Sequence, residues 1–236
     1  MTKSTINDDR KKNSENDNVE EAVEKIVTDI YGSLTPEPEH RRIIGQTLRL
    51  LSDGSPVNPD EIASQLQTSP EKVTSTLRKF GAEFDQEGNI LGLGLTLVRT
   101  PHTYEANGRK LYTWCAADAL AFPVILEQTA HIESCDPVTG DKVQIYVTPD
   151  RVEKIEPKSA VMSFIKNIDV TNVRGTFCNN VNFFSSPKTA AIWIAEHYEI
   201  TFYPVNDVYQ ALQHIHSNKY REFLPQSKEE GLRTCC

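Results

Sequence analysis

The chain has 236 residues, 38% hydrophobic and 25% charged, enough apolar material for one large or two small globular domains with a real core. Its formal net charge of −8 offers no attraction to phosphate backbones or anionic lipid, so nucleic acid and membrane surfaces are poor partners. No apolar run approaches membrane-spanning length, and the polar start MTKSTINDDRKKNSENDN lacks the apolar stretch of a secretory signal, so a soluble cytoplasmic protein is expected.

Residues 1–18 are nearly all polar with cancelling charges and cannot bury enough apolar surface to order themselves, which predicts a disordered tail. Asn18 and Glu21 then form a capping box, Val19, Val23, Ile26, Val27 and Ile30 recur at helical spacing, and Gly32 closes that helix. TPEPEH reads as a linker. Ile43, Ile44, Thr47, Leu48 and Leu51 mark a second helix, ended by SDGSP. Asn58-Pro59 and Ser69-Pro70 each place a cap before a proline and open two short helices with stripes Ile62 and Leu66, then Val73, Leu77 and Phe80. DQEGN turns the chain into a strand-like segment over 90–98.

Helices followed by a hairpin over 19–99 give the outline of a winged helix-turn-helix. This segment carries eight Lys or Arg against thirteen Asp or Glu, a balance of −5. A DNA reader is basic on the face that meets phosphate, so a packing role is favoured over DNA binding.

The second half changes period. EQTAHIES and KVQIYVT alternate around the turn DPVTGD, a hairpin signal, and AVMSFIK alternates again. VRGTFCNNVNFF reads as a strand or a strand running into a loop. Ser186-Pro187 caps a helix carrying Ala191, Ile194 and Ala195, and Pro204 starts a last one with Val208, Leu212 and Ile215. The fold class is therefore α+β: the winged-helix-like module, then a mostly antiparallel sheet with flanking helices over 100–217, then a polar tail over 218–236.

Five cysteines stand at Cys115, Cys135, Cys178, Cys235 and Cys236, with no Cys-x-x-Cys pair, so buried thiols, ligands or nucleophiles are expected rather than disulfides or a zinc ribbon. In TWCAADALAFP, Thr113 as cap places Cys115 in the first turn of a helix ending before Pro123. Unpaired amides there lower a thiol pKa from about 8.5 toward neutrality. Asp118, at i+3, shares that face. Its carboxylate disfavours a thiolate, so the two groups share a proton that Asp118 can take and later deliver elsewhere. Spacing alone favours the plainer alternative, a small buried thiol beside a helix-surface acid. Nor does spacing bring Cys178, flanked by Asn179 and Asn180, to Cys115. His131 and Cys135, four apart in a strand, share a face; a core histidine beside a buried thiol is favoured there over a metal pair. His214 and His216 share no helix face. GLGL at 92–95 is too short for a phosphate loop.

YTWCAADALAFP, VRGTFCNNVNFF and HRRIIGQTLRLL, in that family's order over about residues 20–217, resemble the bacterial organomercurial (alkylmercury) lyases. The resemblance implies an enzyme of mercury detoxification that cleaves the carbon–mercury bond of alkyl and aryl mercurials by protonolysis. It places the two mercury-binding cysteines on Cys115 and Cys178, the catalytic aspartate and a further mercury contact on Asp118, and a structural core cysteine on Cys135. Some members carry a second cysteine where this chain has Asn179. The family also implies no cofactor beyond free cellular thiols, hand-off of Hg(II) to mercuric reductase, and a monomer or weak dimer. The chemistry fits: a soft cation takes thiolate ligands, which push electron density onto a carbon that a nearby acid then protonates. Trp114 and Phe122 either wall the organic group or belong to the core, the core being favoured. The Cys235-Cys236 pair either collects Hg(II) for transfer or is incidental, the two standing even. The runner-up is a thiol-based, metal-responsive winged-helix regulator; a cysteine hydrolase lacks a recognisable histidine base for Cys115.

Overall fold

The computed structural model describes residues 38–165, 172–197 and 200–215, with isolated positions 21, 22, 24, 25 and 169. The tail over 1–18, most of the helix predicted from Val19, His216 and the Cys235-Cys236 pair lie outside the described residues.

Helix α1 (Pro38–Leu51) begins inside the predicted linker and buries Ile43, Thr47, Leu48 and Leu51, the expected stripe, with Ile44 only partly covered. Helices α2 (Pro59–Leu66) and α3 (Pro70–Lys79) open as their sequences dictate. The Asn58 side chain accepts the Asp60 amide at 2.8 Å, the Ser69 hydroxyl accepts the Lys72 amide at 3.3 Å, and each first-turn proline lacks only an N–H that had no helical partner. Ile62, Val73 and Leu77 are fully buried in the same core as Ile43 and Leu51. Each such side chain contributes about 1.5–3 kcal/mol of transfer free energy.

The next strands are β1 (Glu83–Phe84), β2 (Ile90–Leu93), β3 (Leu95–Thr96), β4 (His102–Ala106), β5 (Arg109–Thr113), β6 (Ala130–Cys135), β7 (Lys142–Val147) and β8 (Val152–Glu156). They form one sheet in the order β1-β2-β3-β5-β4-β6-β7-β8, antiparallel at every pairing. The single strand expected over 90–98 is broken at Gly94, where φ of +76° turns β2 into β3. Strand β3 then pairs with β5, carrying the sheet from the helical half into the second half. The β4–β5 hairpin turns on Asn107-Gly108, with φ of +51° and +73°; that dipeptide is a strong hairpin signal.

A second sheet has the order β10-β9-β11, built from β9 (Val161–Ile165), β10 (Phe183–Phe184) and β11 (Ile200–Pro204). VRGTFCNNVNFF is mostly not a strand: it holds the short helix α5 (Val173–Thr176), a 3₁₀ turn (Cys178–Asn180) and only then β10. The remaining helices are α4 (Ala116–Ile125), α6 (Pro187–Ala195) and α7 (Val205–Ile215). Helix α4 runs through Pro123 rather than ending before it, and Pro204 closes β11 rather than opening α7.

Period-two alternation sets the main core. Tyr104 and Ala106, Ala130 and Ile132, and Val143, Ile145 and Val147 point inward, with Tyr104 opposite Ile132 and Ile132 opposite Ile145. Helix α4 lays Ala119, Leu120 and Phe122 into this core, the Phe122 ring meeting Tyr104 edge-on at 6.4 Å, and Val208, Tyr209 and Leu212 of α7 close it. Among the described residues no helix is long and apolar enough to cross a membrane.

Candidate active site

Cys115 occupies the junction between β5 and α4. It is the N-cap of α4, with extended φ and ψ of −150° and 175°, rather than a residue of the first turn capped by Thr113. Thr113 instead donates its hydroxyl to the Cys115 carbonyl at 3.0 Å, fixing the junction from behind. The neighbouring amides are also tied: Trp114 N–H donates to the Gly94 carbonyl at 2.8 Å, and Ala116 N–H to the Val181 carbonyl at 3.1 Å. The last of these bonds joins the two cysteine-bearing segments through their backbones.

That joining places Cys178 beside Cys115. One ligand atom each from Cys115, Asp118 and Cys178 lies within 4.8 Å of the other two. Two bonds of about 2.3 Å, the length of a zinc–thiolate bond, reach from one metal ion to sulfurs at such a separation. Both cysteines are buried, Cys115 at 0% exposure and Cys178 at 5%. Cys115 Sγ donates to Asp118 Oδ2 at 3.3 Å. The residue Asp118 is half-buried, and its carboxyl is the inward end, facing the Cys115 thiol and the Gly94 turn.

Burial dominates the electrostatics. It pushes Asp118 from the usual 3.8 up to about 6, against the opposing effects of the Cys115 thiol, the Cys115 amide and the Arg174 charge. The Cys115 thiol is pushed well above its ordinary value, first by burial and then by Cys178 and Asp118 beside it. The expected lowering of this pKa by the helix terminus is therefore overturned. Helix-end amides supply about 2 kcal/mol at most, whereas full desolvation of a charge costs up to about 4–7 kcal/mol. In the resting site Cys115 is a thiol and Asp118, at neutral pH, chiefly a carboxylate able to receive its proton.

Cys135 is not a core cysteine. It ends β6 on the solvent face, exposed, because the inward positions of that strand are Ala130, Ile132 and Ser134. His131 shares that outer face but is engaged elsewhere, its ring stacked on Tyr146 at 4.3 Å and its Nδ1 3.7 Å from Glu105. Cys115, Asp118 and Cys178 form the one three-residue group able to hold a metal among the described residues. Asn179 is exposed while Cys178 is buried, so the position where some relatives carry another cysteine points away from the pair.

Three neighbours of the site were not singled out by sequence. Gly94, inside the GLGL string, has positive φ, and a Cβ there would stand 3.0 Å from Phe122 and 3.4 Å from Asp118. Arg174, one turn before Cys178, lays its guanidinium 4.6 Å from the centre of the Trp114 ring, and Glu83 binds it. Arg174 lies inside the VRGTFCNNVNFF string that carries the resemblance, and Gly94 is a glycine in a strand pattern; Glu83 left no sequence trace. Phe122 is core, at 3% exposure; Trp114 is half-buried beneath Arg174.

A family model described as alkylmercury lyase matches residues 95–216. An alkylmercury lyase of Staphylococcus epidermidis is 41% identical over 179 residues, 75% of this chain and 82% of that protein. One of Streptomyces lividans is 42% identical over 164 residues, 69% and 76% of the two chains. One of Pseudomonas putida is 36% identical over 199 residues, 84% and 93%. A crystal structure of the mercury-bound form of MerB2 superposes with a TM-score of 0.68, covering 83% of this chain and 95% of that one; at 20% identity this likeness speaks for the fold alone. By sequence match over most of its length, and with a fold to agree, the chain belongs to the alkylmercury lyase family.

Proposed function

We propose that this organomercurial lyase cleaves the carbon–mercury bond with Cys115, Cys178 and Asp118. The observation that carries the assignment is the convergence of two buried sulfurs and one carboxylate within 4.8 Å. Asp118 takes the Cys115 proton, and the thiolate displaces the cellular thiolate on RHg⁺. Cys178 adds as the second sulfur, and its proton leaves on the displaced thiol. Protonated Asp118 then delivers its proton to carbon. The balance is RHg–SR′ plus two cysteine thiols giving RH, R′SH and Hg(II) on two cysteine sulfurs.

Burial serves each step. A desolvated thiolate is a stronger donor to mercury, and a carboxyl near 6 is a usable acid at neutral pH where an unperturbed one is not. No organic cofactor is required; free thiols strip the product and pass Hg(II) onward, to mercuric reductase in our reading, which suits a cytoplasmic setting. Helices α1–α3 with the β1–β2 hairpin are read as a winged-helix-like packing module for this core, distinct from a DNA reader by the acidic balance of that segment.

The test is incubation with phenylmercury in excess thiol, detecting benzene and counting mercury per chain. One benzene per mercury delivered, with mercury held by the enzyme when free thiol is removed, is the expected outcome. Mercury bound without benzene would leave a binding protein.

A further inference from the structure

Arg174 stands one turn before Cys178; outside its own helix it makes two direct contacts, and its charge also acts on Asp118. Its Nη1 donates to Glu83 Oε1 at 2.7 Å, and its guanidinium lies over Trp114, the residue preceding Cys115. Glu83 comes from β1, 91 residues away in the chain. The other carboxylate oxygen is tied too: Glu83 Oε2 accepts from Thr96 Oγ1 at 2.5 Å, and Thr96 is fully buried in β3. Gly92 makes that bond possible, because a Cβ there would collide with both Glu83 Oε2 and the Thr96 side chain. Glu83 is thus held from behind at 16% side-chain exposure, while Arg174 is 47% exposed. A pair this open adds little to global stability. What it supplies is a fixed point.

The turn bearing Cys178 needs one on each side. Downstream, Ser163 Oγ donates to the Asn180 carbonyl at 2.8 Å and Ala116 N–H to the Val181 carbonyl at 3.1 Å. Upstream, the polar tie from this turn to the main sheet among the described residues runs through Arg174, Glu83 and Thr96. We propose that Glu83 is a positioning residue for the second sulfur: by pinning Arg174 between β1 and Trp114 it holds the turn so that Cys178 stays within one mercury ion's span of Cys115. The inference rests on the reading that Cys178 supplies that sulfur. It gives the N-terminal hairpin a part in the reaction without contact with substrate.

The test separates the two sulfur additions. In a Trp193→Phe background Trp114 is the remaining tryptophan, so heavy-atom quenching of its fluorescence reports capture by the adjoining Cys115, and benzene reports cleavage. In Glu83→Ala, benzene release falls about tenfold while capture stays within about twofold, since ångström-scale misplacement of a reacting group costs up to roughly a hundredfold. Glu83→Gln, which still accepts from Arg174, loses about two- to threefold by the same reasoning. Gly92→Ala, which crowds Glu83 off its seat, reproduces the Glu83→Ala pattern. Unchanged release in Glu83→Ala, or capture and release slowed together, overturns the proposal. Should Glu83→Ala not fold, the ratio in Glu83→Gln and Gly92→Ala decides it. Cys178→Ser is run beside them: if it still releases benzene at the parent rate, the second-sulfur reading is what failed, whereas a dead Cys178→Ser with normal Glu83 variants sinks only the positioning role.

Discussion

Cys115 and Cys178 on one side, and Cys135 on the other, carry the same side chain into opposite surroundings. The first two are buried beside each other with Asp118 at 3.3 Å; the third sits on the solvent face of β6, opposite Lys142 in register. Exposure makes Cys135 the easier thiol to reach, yet among the described residues it belongs to no group that joins a second sulfur and an acid. Burial makes Cys115 a poor nucleophile at rest, because a desolvated thiolate is costly. The difference teaches that this site is selective by reluctance. In the proposed reaction the Cys115 thiol stays protonated until a soft cation and the neighbouring carboxylate together make its ionisation favourable.

The largest expected effect attacks that contrast directly. Cys115→Ser and Cys178→Ser should each lower hydrocarbon release by roughly a thousandfold or more, the scale on which losing one member of a cooperating catalytic set is felt. Cys135→Ser should retain the parent rate. A Cys135→Ser enzyme as dead as the other two would erase the distinction that burial draws. Next in size, Asp118→Asn should slow release by about 10²–10⁴, the usual contribution of a positioned acid–base group, while mercurial still binds the two sulfurs. Normal turnover in that variant would remove the carboxyl from the proton path.

The same comparison shows what sequence carries and what it does not. Helix caps are legible because they are local: Asn58-Pro59, Ser69-Pro70 and Ser186-Pro187 bond their own first turns. The β6–β7 hairpin is legible from alternation. The meeting of Cys115 with Cys178 is not, since it depends on the Ala116 amide reaching the Val181 carbonyl and on β9 and β10 pairing, contacts without a local signature. Only resemblance to known lyases supplies it. The same resemblance, and the reading of Cys135 as a buried thiol beside His131, both place it in the core, where strand alternation, counted outward from Ile132, puts it on the surface. The direction in which the Cys115 thiol moves escapes the sequence for a related reason: a helix end is visible there, whereas the depth of burial that outweighs it is not.

A pH profile sharpens the picture. In the proposed reaction Asp118 must be ionised to accept the thiol proton, and burial pushes its pKa up to about 6. kcat/KM should therefore be level near neutrality and fall about tenfold for each step of one in pH below about 6, the slope of a single required ionisation in the free enzyme. A limb near 4 instead would mean that the carboxyl is solvated as it takes up its proton.

The smallest effect concerns stability, and its sign follows from the same burial. A carboxyl whose folded value is raised binds more protons in the native state than in the unfolded chain between the unfolded value, near 3.8, and about 6. Stability contributed by the protonated form is thus present at low pH and lost as pH rises through that window, leaving a penalty at neutrality. A rise from 3.8 to about 6 corresponds to about 3 kcal/mol as a ceiling; partial solvent contact of Asp118 lowers the working figure to about 1–2 kcal/mol. Asp118→Asn, neutral at every pH and still able to accept from the Cys115 thiol, should gain that amount at pH 7. In a chain of this size the melting temperature should rise by about 2–4 °C for each kcal/mol. The gain should shrink as pH is lowered from about 6.5 to about 4, whereas Cys135→Ser should stay within about 0.5 kcal/mol of the parent throughout. An Asp118→Asn protein less stable than the parent at pH 7 would show that the carboxylate is held by favourable bonds rather than strained by burial, and the acid role built on its raised pKa would fall with it.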